Sequence, residues 1–257
     1  MGDVADGSPW VILASASPRR RELLGRIGVT FDVMVSEAEE VTEETEPVEV
    51  VKALARAKAR AVAAQFSAEE PAVVPLAGTS GQSVSKRLGA GQSILVLGAD
   101  TIVVLDGKIL GKPHSKAEAW QMLRSLSGRT HEVYTGVCGI YLAGAFDKCF
   151  SEDTEESAES FAGKAKARPE AFAESFAEEG SVWPGAFEKC FAEETKVSVA
   201  ELSEDEIAAY IASGEPFDKA GGYGIQGLFA RHVTGIAGDY FNVVGFPLHR
   251  VYREFFQ

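Results

Sequence analysis

A group of three consecutive arginines, Arg19 to Arg21, follows an apolar run near the start of the sequence. Ser17 and Pro18 just before them are typical of an N-cap followed by proline in a helix's first turn. That end of a helix already carries about half a positive charge, so arginines there are unfavourable unless an anion is near. Helical spacing directs Arg19 and Arg20 toward the body of the protein and Arg21 away from it. A bound phosphate would account for the two inward arginines; the alternative is a solvated turn whose long side chains reach water.

Two further charged residues occur where apolar side chains are expected. Lys58 falls on the apolar face of a helix predicted over 48–66, where it must reach water or meet an anion. Asp100 lies within an apolar strand predicted over 94–105, and an unpaired carboxylate there would be very unfavourable. We therefore expect Asp100 to meet a metal ion or a lysine, and a purely structural ion pair is the alternative.

The stretch 215–227, EPFDKAGGYGIQG, places four glycines around Lys219 and Gln226. Such a density of glycine allows the backbone to approach a ligand closely. The stretch does not match GxGxxG or GxxxxGK[ST], so neither a dinucleotide fold nor a P-loop is supported. An ordinary glycine-rich turn is the alternative.

The elements that must position these residues alternate between strands and helices, which predicts an α/β protein. Strands are predicted at 10–15, 94–105, about 131–142, 195–200 and after Gly235; helices are predicted at 18–27, 48–66 and 116–127. Ser115 with Glu118, and Ser203 with Glu206, match the capping box that opens a helix.

Two segments interrupt this alternation. Residues 77–93 are rich in glycine and serine and predict a flexible surface loop. Residues 144–193 contain a near-repeat, GAFDKCFSEDT at 144–154 and GAFEKCFAEET at 185–195. Two copies are too few for a solenoid, which favours a tandem duplication inserted into one loop; a partner-binding arm is the alternative. The chain is thus predicted to be a single domain over 1–257 with two flexible insertions.

Composition excludes several classes of protein. A formal net charge of −13 argues against general nucleic-acid binding, and no apolar run is long enough to span a membrane. Cys138, Cys149 and Cys190 form no CxxC pair and are predicted to be ordinary thiols. The N-terminal residues are acidic and glycine-rich rather than like a targeting segment, so a cytoplasmic location is expected.

Taken together, the motifs resemble the Maf family of nucleoside triphosphate pyrophosphatases. They are SASPRR at 15–20, the pair Glu39-Glu40, Lys58 in its alanine-rich helix, GADT at 98–101, GKP at 111–113, SGRTHEVYTG at 127–136, ETKV at 194–197, DKAGGYGIQG at 218–227 and NVVGFPL at 242–248. The resemblance implies an elongated mixed sheet with flanking helices and two lobes around a central cleft, as in inosine-triphosphatase-like proteins, commonly as a homodimer. It implies cleavage of a nucleoside triphosphate to monophosphate and pyrophosphate with Mg²⁺ or Mn²⁺.

The resemblance also assigns roles to individual residues. Glu40 and Asp100 are implied metal ligands, and hard carboxylate oxygens suit Mg²⁺. Asp100 is in addition the implied general base for the attacking water. The residues implied to bind the substrate are Ser15, Arg19, Arg20, Lys58, Thr101, Lys112, Lys219 and Gln226.

Two positions bear on the choice of nucleotide. Thr101 after the acid and the sequence Ile225-Gln226-Gly227 resemble the branch that acts on dTTP and UTP. A glutamine amide offers both a donor and an acceptor, which suits the imide edge of thymine or uracil. The implied role is cleaning of the nucleotide pool. The alternatives are cleavage of 7-methyl-GTP or another modified nucleotide, and a regulatory binding protein with a vestigial site.

Overall fold

The computed structural model describes residues 9–67, 93–142 and 186–257 of the chain. Residues 77–92 and 143–185, which hold most of the two predicted insertions and Cys149, lie outside the described residues. Within the described part, no helix is long and apolar enough to cross a membrane.

The described residues form an α/β fold around one mixed sheet of seven strands, in the order β2-β1-β3-β5-β6-β7 with β4 paired to β3. The first three strands of this order run parallel, and the strands from β3 to β7 pair antiparallel. The strands are β1 (Trp10–Leu13), β2 (Phe31–Val33), β3 (Ile94–Leu105), β4 (Lys108–Leu110), β5 (Thr130–Leu142), β6 (Ala186–Val199) and β7 (Val233–Ala237). The predicted fold class, a mixed sheet with flanking helices, is confirmed.

Helices flank the sheet, and short 3-10 turns follow the fourth of them. The helices are α1 (Pro18–Arg26), α2 (Pro47–Ser67), α3 (Lys116–Leu126), α4 (Glu204–Ala212), α5 (Tyr240–Val244) and α6 (Leu248–Phe255). The capping box predicted at Ser203 and Glu206 is present in full at the start of α4. At α3, Ser115 accepts from the Glu118 N–H, but the Glu118 carboxylate accepts from the His114 N–H, one residue before the cap.

Helix α2 packs directly on the centre of the sheet because two glycines remove the side chains that would hold it away. A Cβ at Gly98 of β3 would collide with the Ala55 carbonyl, and a Cβ at Gly136 of β5 would collide with the Val51 carbonyl. The small buried residues Ala55 and Ala59 complete this close contact. The helix face that carries Lys58 is therefore held immediately over β3.

A second group of elements covers the other end of β3. Leu123 of α3 and Tyr210 of α4 pack with Phe229 and with Val103 in one buried cluster. This cluster fixes the glycine-rich segment 215–227 beside the carboxyl half of β3. A cleft is left between this part of the molecule and α1.

The prediction for β6 was too short. The strand predicted at 195–200 begins at Ala186, and residues 186–193 pair with residues 135–142 of β5. The sequence groups residues 186–193 with the insertion because they belong to the second copy of the near-repeat at 185–195. Helices α5 and α6 and the short strands β2 and β4 were not predicted either. Helix α5 and the two strands have only three to five residues each, too few to show a clear periodicity.

The prediction that the cysteines are ordinary thiols was wrong for two of them. Cys138 of β5 and Cys190 of β6 lie directly opposite in the antiparallel register and form a disulfide. They are 52 residues apart in sequence. Only the register of two strands brings them together, so no local spacing could have indicated the bond.

Candidate active site

A cleft of about 880 Å³ lies where β1 ends and α1 begins, beside the middle of β3 and the glycine-rich segment. In α/β sheets, ligands bind at the carboxyl ends of parallel strands, which is where this cleft opens. Every site residue predicted from the sequence lines it: Ser15, Arg19, Arg20, Glu40, Lys58, Asp100, Thr101, Lys112, Lys219 and Gln226.

Lys58 stands between two carboxylates in this cleft. Its Nζ lies 2.5 Å from Asp100 Oδ1 and 2.8 Å from Glu40 Oε1. The Lys58 and Asp100 side chains are buried, with 13% and 12% of their surfaces exposed, whereas Glu40 is exposed. The hydrogen bond from Lys58 lowers the pKa of Glu40. Lys112 reaches the other Glu40 oxygen at 3.5 Å, so the two carboxylates and two cations form one connected group.

Arg20 is the inward arginine of α1, and the structure gives its guanidinium three partners. Its Nε donates to the Gly245 carbonyl at 2.8 Å, and its two terminal nitrogens donate to Ser15 Oγ at 3.2 Å and Thr101 Oγ1 at 3.0 Å. Burial is the main reason that the pKa of Arg20 is lowered, although the group stays cationic at neutral pH. Arg19 is half-buried at the cleft and Arg21 is exposed, as helical spacing predicted.

Lys219 lines the cleft, but its ammonium is engaged by its own segment. It donates to the Glu215 carbonyl at 2.8 Å and to Asp218 Oδ1 at 2.5 Å, with 13% of its side chain exposed. The Glu215 carboxylate in turn accepts from Tyr210 Oη and from the Leu228 N–H. These bonds brace the glycine-rich segment and present Gln226 as an exposed side chain at the cleft.

The residues fit a divalent cation. Glu40 and Asp100 both present carboxylate oxygens to the one Lys58 ammonium, so these oxygens converge on a shared position in the cleft. Mg²⁺ prefers such hard oxygen donors from one or two carboxylates together with substrate phosphates.

Among the described residues, the one group of three or more side chains with the atom types to hold a metal ion is Cys138, Glu188 and Cys190. Its two sulfurs are joined in the disulfide, and Arg56 and Arg60 both form ion pairs with Glu188. A thiolate ligand is therefore absent from that cluster, and its carboxylate is already neutralised.

Sequence reasoning did not single out Thr135 and Asn242, although both lie behind the cleft. Thr135 Oγ1 lies 2.9 Å from Thr101 Oγ1 and donates to the Asn242 carbonyl at 2.9 Å. Both residues are fully buried. The signal available was a polar side chain inside each of two motifs, VYTG and NVVG, whose neighbours are mostly apolar.

An α/β fold with a cleft lined by arginines, lysines and paired carboxylates defines a protein suited to binding phosphates. A model of the family described as "Maf-like protein" matches residues 10–188 and 177–257. The chain belongs to the Maf family.

Curated relatives cover almost the whole chain. A protein named dTTP/UTP pyrophosphatase from Agathobacter rectalis is 42% identical, with 95% of this chain and 95% of the relative covered. Proteins with the same name from Koribacter versatilis and Bacillus anthracis are 42% and 40% identical, each over 95% of this chain and over 91% and 93% of the relative.

Proposed function

We propose that this protein hydrolyses nucleoside triphosphates, with a preference for dTTP and UTP, to the nucleoside monophosphate and pyrophosphate. The observation that carries the proposal is the meeting of Arg19, Arg20, Lys58 and Lys112 with Glu40 and Asp100 in one cleft. The names of the relatives that match over nearly the full length support the same reaction.

The cations act on the triphosphate. Negative charge develops on the pyrophosphate leaving group during attack at the α-phosphorus, and fixed positive groups stabilise that charge. Arg20 is held by Ser15, Thr101 and the Gly245 carbonyl, so its orientation is set before the substrate arrives. Such prior positioning removes much of the entropic barrier to reaction.

Asp100 accepts the proton of the attacking water. Its partner Lys58 also contacts Glu40, so the ammonium can turn to a phosphate oxygen while Glu40 still holds it. This movement frees Asp100 Oδ1 to act as base. A divalent cation held by Glu40 and Asp100 would supply further neutralisation of the phosphate charge.

Gln226 is the residue that we propose recognises the base of the nucleotide. Its amide is exposed at the cleft and offers one donor group and one acceptor, which match the imide edge of thymine or uracil. The enzyme is further proposed to act as a homodimer in the cytoplasm, in cleaning of the nucleotide pool.

The products test the proposed reaction. The protein is incubated with dTTP and, separately, UTP in the presence of Mg²⁺ or Mn²⁺, and the products are separated by anion exchange. The expected products are the monophosphate and pyrophosphate in equal amounts. Release of orthophosphate with the diphosphate would contradict cleavage at the α-phosphorus.

A further inference from the structure

A chain of hydrogen bonds runs from the cleft into the core. Arg20 donates to Thr101 Oγ1 at 3.0 Å, Thr101 Oγ1 lies 2.9 Å from Thr135 Oγ1, and Thr135 donates to the Asn242 carbonyl at 2.9 Å. The Arg20 end faces the cleft, and Thr135 is fully buried. This series of hydrogen bonds thus links the Arg20 guanidinium, a proposed phosphate-binding group, to the interior of the protein.

The hydrogen bonds of this series can have only one donor-to-acceptor direction. A hydroxyl has a single proton, and that of Thr135 goes to the Asn242 carbonyl, which cannot donate. The proton between the two threonines must therefore come from Thr101. Because Arg20 is donor only, each hydroxyl in the chain donates once and accepts once. Thr101 consequently has no proton left to offer a nucleotide, and its remaining contact in the chain is with Arg20.

The far end of the chain is firmly anchored. Asn242 is fully buried, and its Nδ2 donates to the Val133 carbonyl at 3.0 Å and to Thr195 Oγ1 at 2.9 Å. Gly245 is the C-cap of the same short helix, and its carbonyl accepts from Arg20 Nε at 2.8 Å. Two of the three partners of the guanidinium are therefore tied to α5, which is tied to β5 and β6.

We propose that Thr135 is a positioning residue for Arg20, acting through Thr101. Thr135 reaches no part of the cleft itself, but by accepting the Thr101 proton it holds the Thr101 hydroxyl in the orientation that presents a lone pair to the guanidinium. This inference rests on the proposed function, since its readout is pyrophosphate release. Mispositioning of a group at the reacting phosphates by about 1 Å can lower a rate by about 10²-fold.

The direct test is Thr135→Val, which keeps the shape of the side chain and removes its hydroxyl. We expect kcat for dTTP to fall by about 10- to 100-fold with a smaller change in KM, because a misdirected Arg20 stabilises developing charge less well. Thr135→Ser, which retains the hydroxyl, is expected to restore most of kcat. Thr130→Val is the matched control, since Thr130 lies on the same strand and its hydroxyl pairs with Ser198 Oγ, away from the cleft. It is expected to leave kcat unchanged.

A double-mutant cycle separates positioning from a general loss of structure. If Thr135 acts through Arg20, Thr135→Val in an Arg20→Ala background causes no further fall in kcat. An equal fall in both backgrounds would overturn the inference. Thr101→Val, at a half-buried site, is tested in the same cycle and gives the answer if Thr135→Val does not fold. If the wild type releases no pyrophosphate, the proposed function is refuted. If the wild type is active but the effects of the two substitutions on kcat are additive, only the positioning role is refuted.

Discussion

Lys58 Nζ lies 2.5 Å from Asp100 Oδ1 at the point where helix α2 crosses strand β3. The contact depends on Gly98 and Gly136, which allow the helix backbone to lie against the sheet. The ion pair explains how a carboxylate is kept within an apolar strand, and it satisfies the sequence-based expectation that Asp100 meets a lysine or a metal ion. The same lysine also contacts Glu40, so removing either carboxylate leaves it one partner.

Asp100→Asn is expected to abolish most activity without unfolding the protein. The change removes a general base, which alone is worth about 10²–10⁴ in rate, and it removes one proposed metal-ligand charge. Stability should change little, because Lys58 keeps Glu40 as its partner. Turnover of dTTP and the melting temperature are measured together. Near-normal turnover would remove Asp100 from the proposed chemistry, and an unfolded variant would give it a structural role only.

Lys58→Met should be the more damaging change to stability. It leaves the buried Asp100 without its cation, and breaking a buried pair from one side typically costs about 3–5 kcal/mol. Urea denaturation measures the effect, and Lys52→Met, at an exposed ion pair with Glu49 on the same helix, is the control. Because both carboxylates would then have lost the Lys58 ammonium, added Mg²⁺ is expected to stabilise this variant more than the control. An equal response to Mg²⁺ in both variants would argue against a metal site at Glu40 and Asp100.

The elements that carry the site could largely be predicted from the sequence. The apolar run of β3 and the helical period of α2 are strong local signals, and the structure has them at 94–105 and 47–67. The inward direction of Arg20 followed from its angle on α1. The substrate roles of residues such as Lys112 came from the family resemblance instead, since an exposed lysine in a loop has no physical signature of its own.

What could not be predicted depends on contacts between distant parts of the chain. Thr135 and Asn242 are 107 residues apart, and neither has a local pattern that indicates the other. The disulfide between Cys138 and Cys190 needs the register of β5 against β6. The start of β6 was hidden because its residues belong to the second copy of the near-repeat; in the structure, Glu188 there is neutralised by Arg56 and Arg60 of α2.

Acidification should destabilise the protein through His131. This histidine is fully buried beside Tyr223, and burial lowers its pKa to about 4, against about 6.5 in the unfolded chain. The unfolded state therefore takes up the proton at a higher pH than the folded state does. The contribution of His131 to the free energy of unfolding is complete above about pH 6.5 and declines as the pH falls. About 3 kcal/mol is lost once the pH is below 4. The free energy of unfolding is measured from pH 7 to about pH 5.5, above the range in which most carboxyl groups titrate. His131→Gln should flatten this slope, and His114→Gln, at an exposed histidine, should not; equal slopes in both variants would contradict the assignment.

Reduction of the disulfide is expected to weaken the fold. Closing a loop of 52 residues stabilises a protein by about 4 kcal/mol in the chain-entropy account. Dithiothreitol should therefore lower the free energy of unfolding of the wild type, measured in urea, and should leave a Cys138→Ala/Cys190→Ala variant unchanged. If the wild type is equally stable with and without the reductant, the bond contributes nothing to stability.

The preference for dTTP and UTP is the central claim, and a comparison of kcat/KM across nucleotides tests it most directly. Initial rates of pyrophosphate release are measured with dTTP, UTP, ATP, GTP and 7-methyl-GTP, for the wild type and for Gln226→Leu. The wild type is predicted to cleave dTTP and UTP at least about 10-fold more efficiently than the three purine nucleotides, since loss of a paired polar group on a base is worth about 1–3 kcal/mol. Gln226→Leu is predicted to lose most of that difference. Equal kcat/KM for all five nucleotides, or a wild type that favours 7-methyl-GTP, would contradict the proposed specificity.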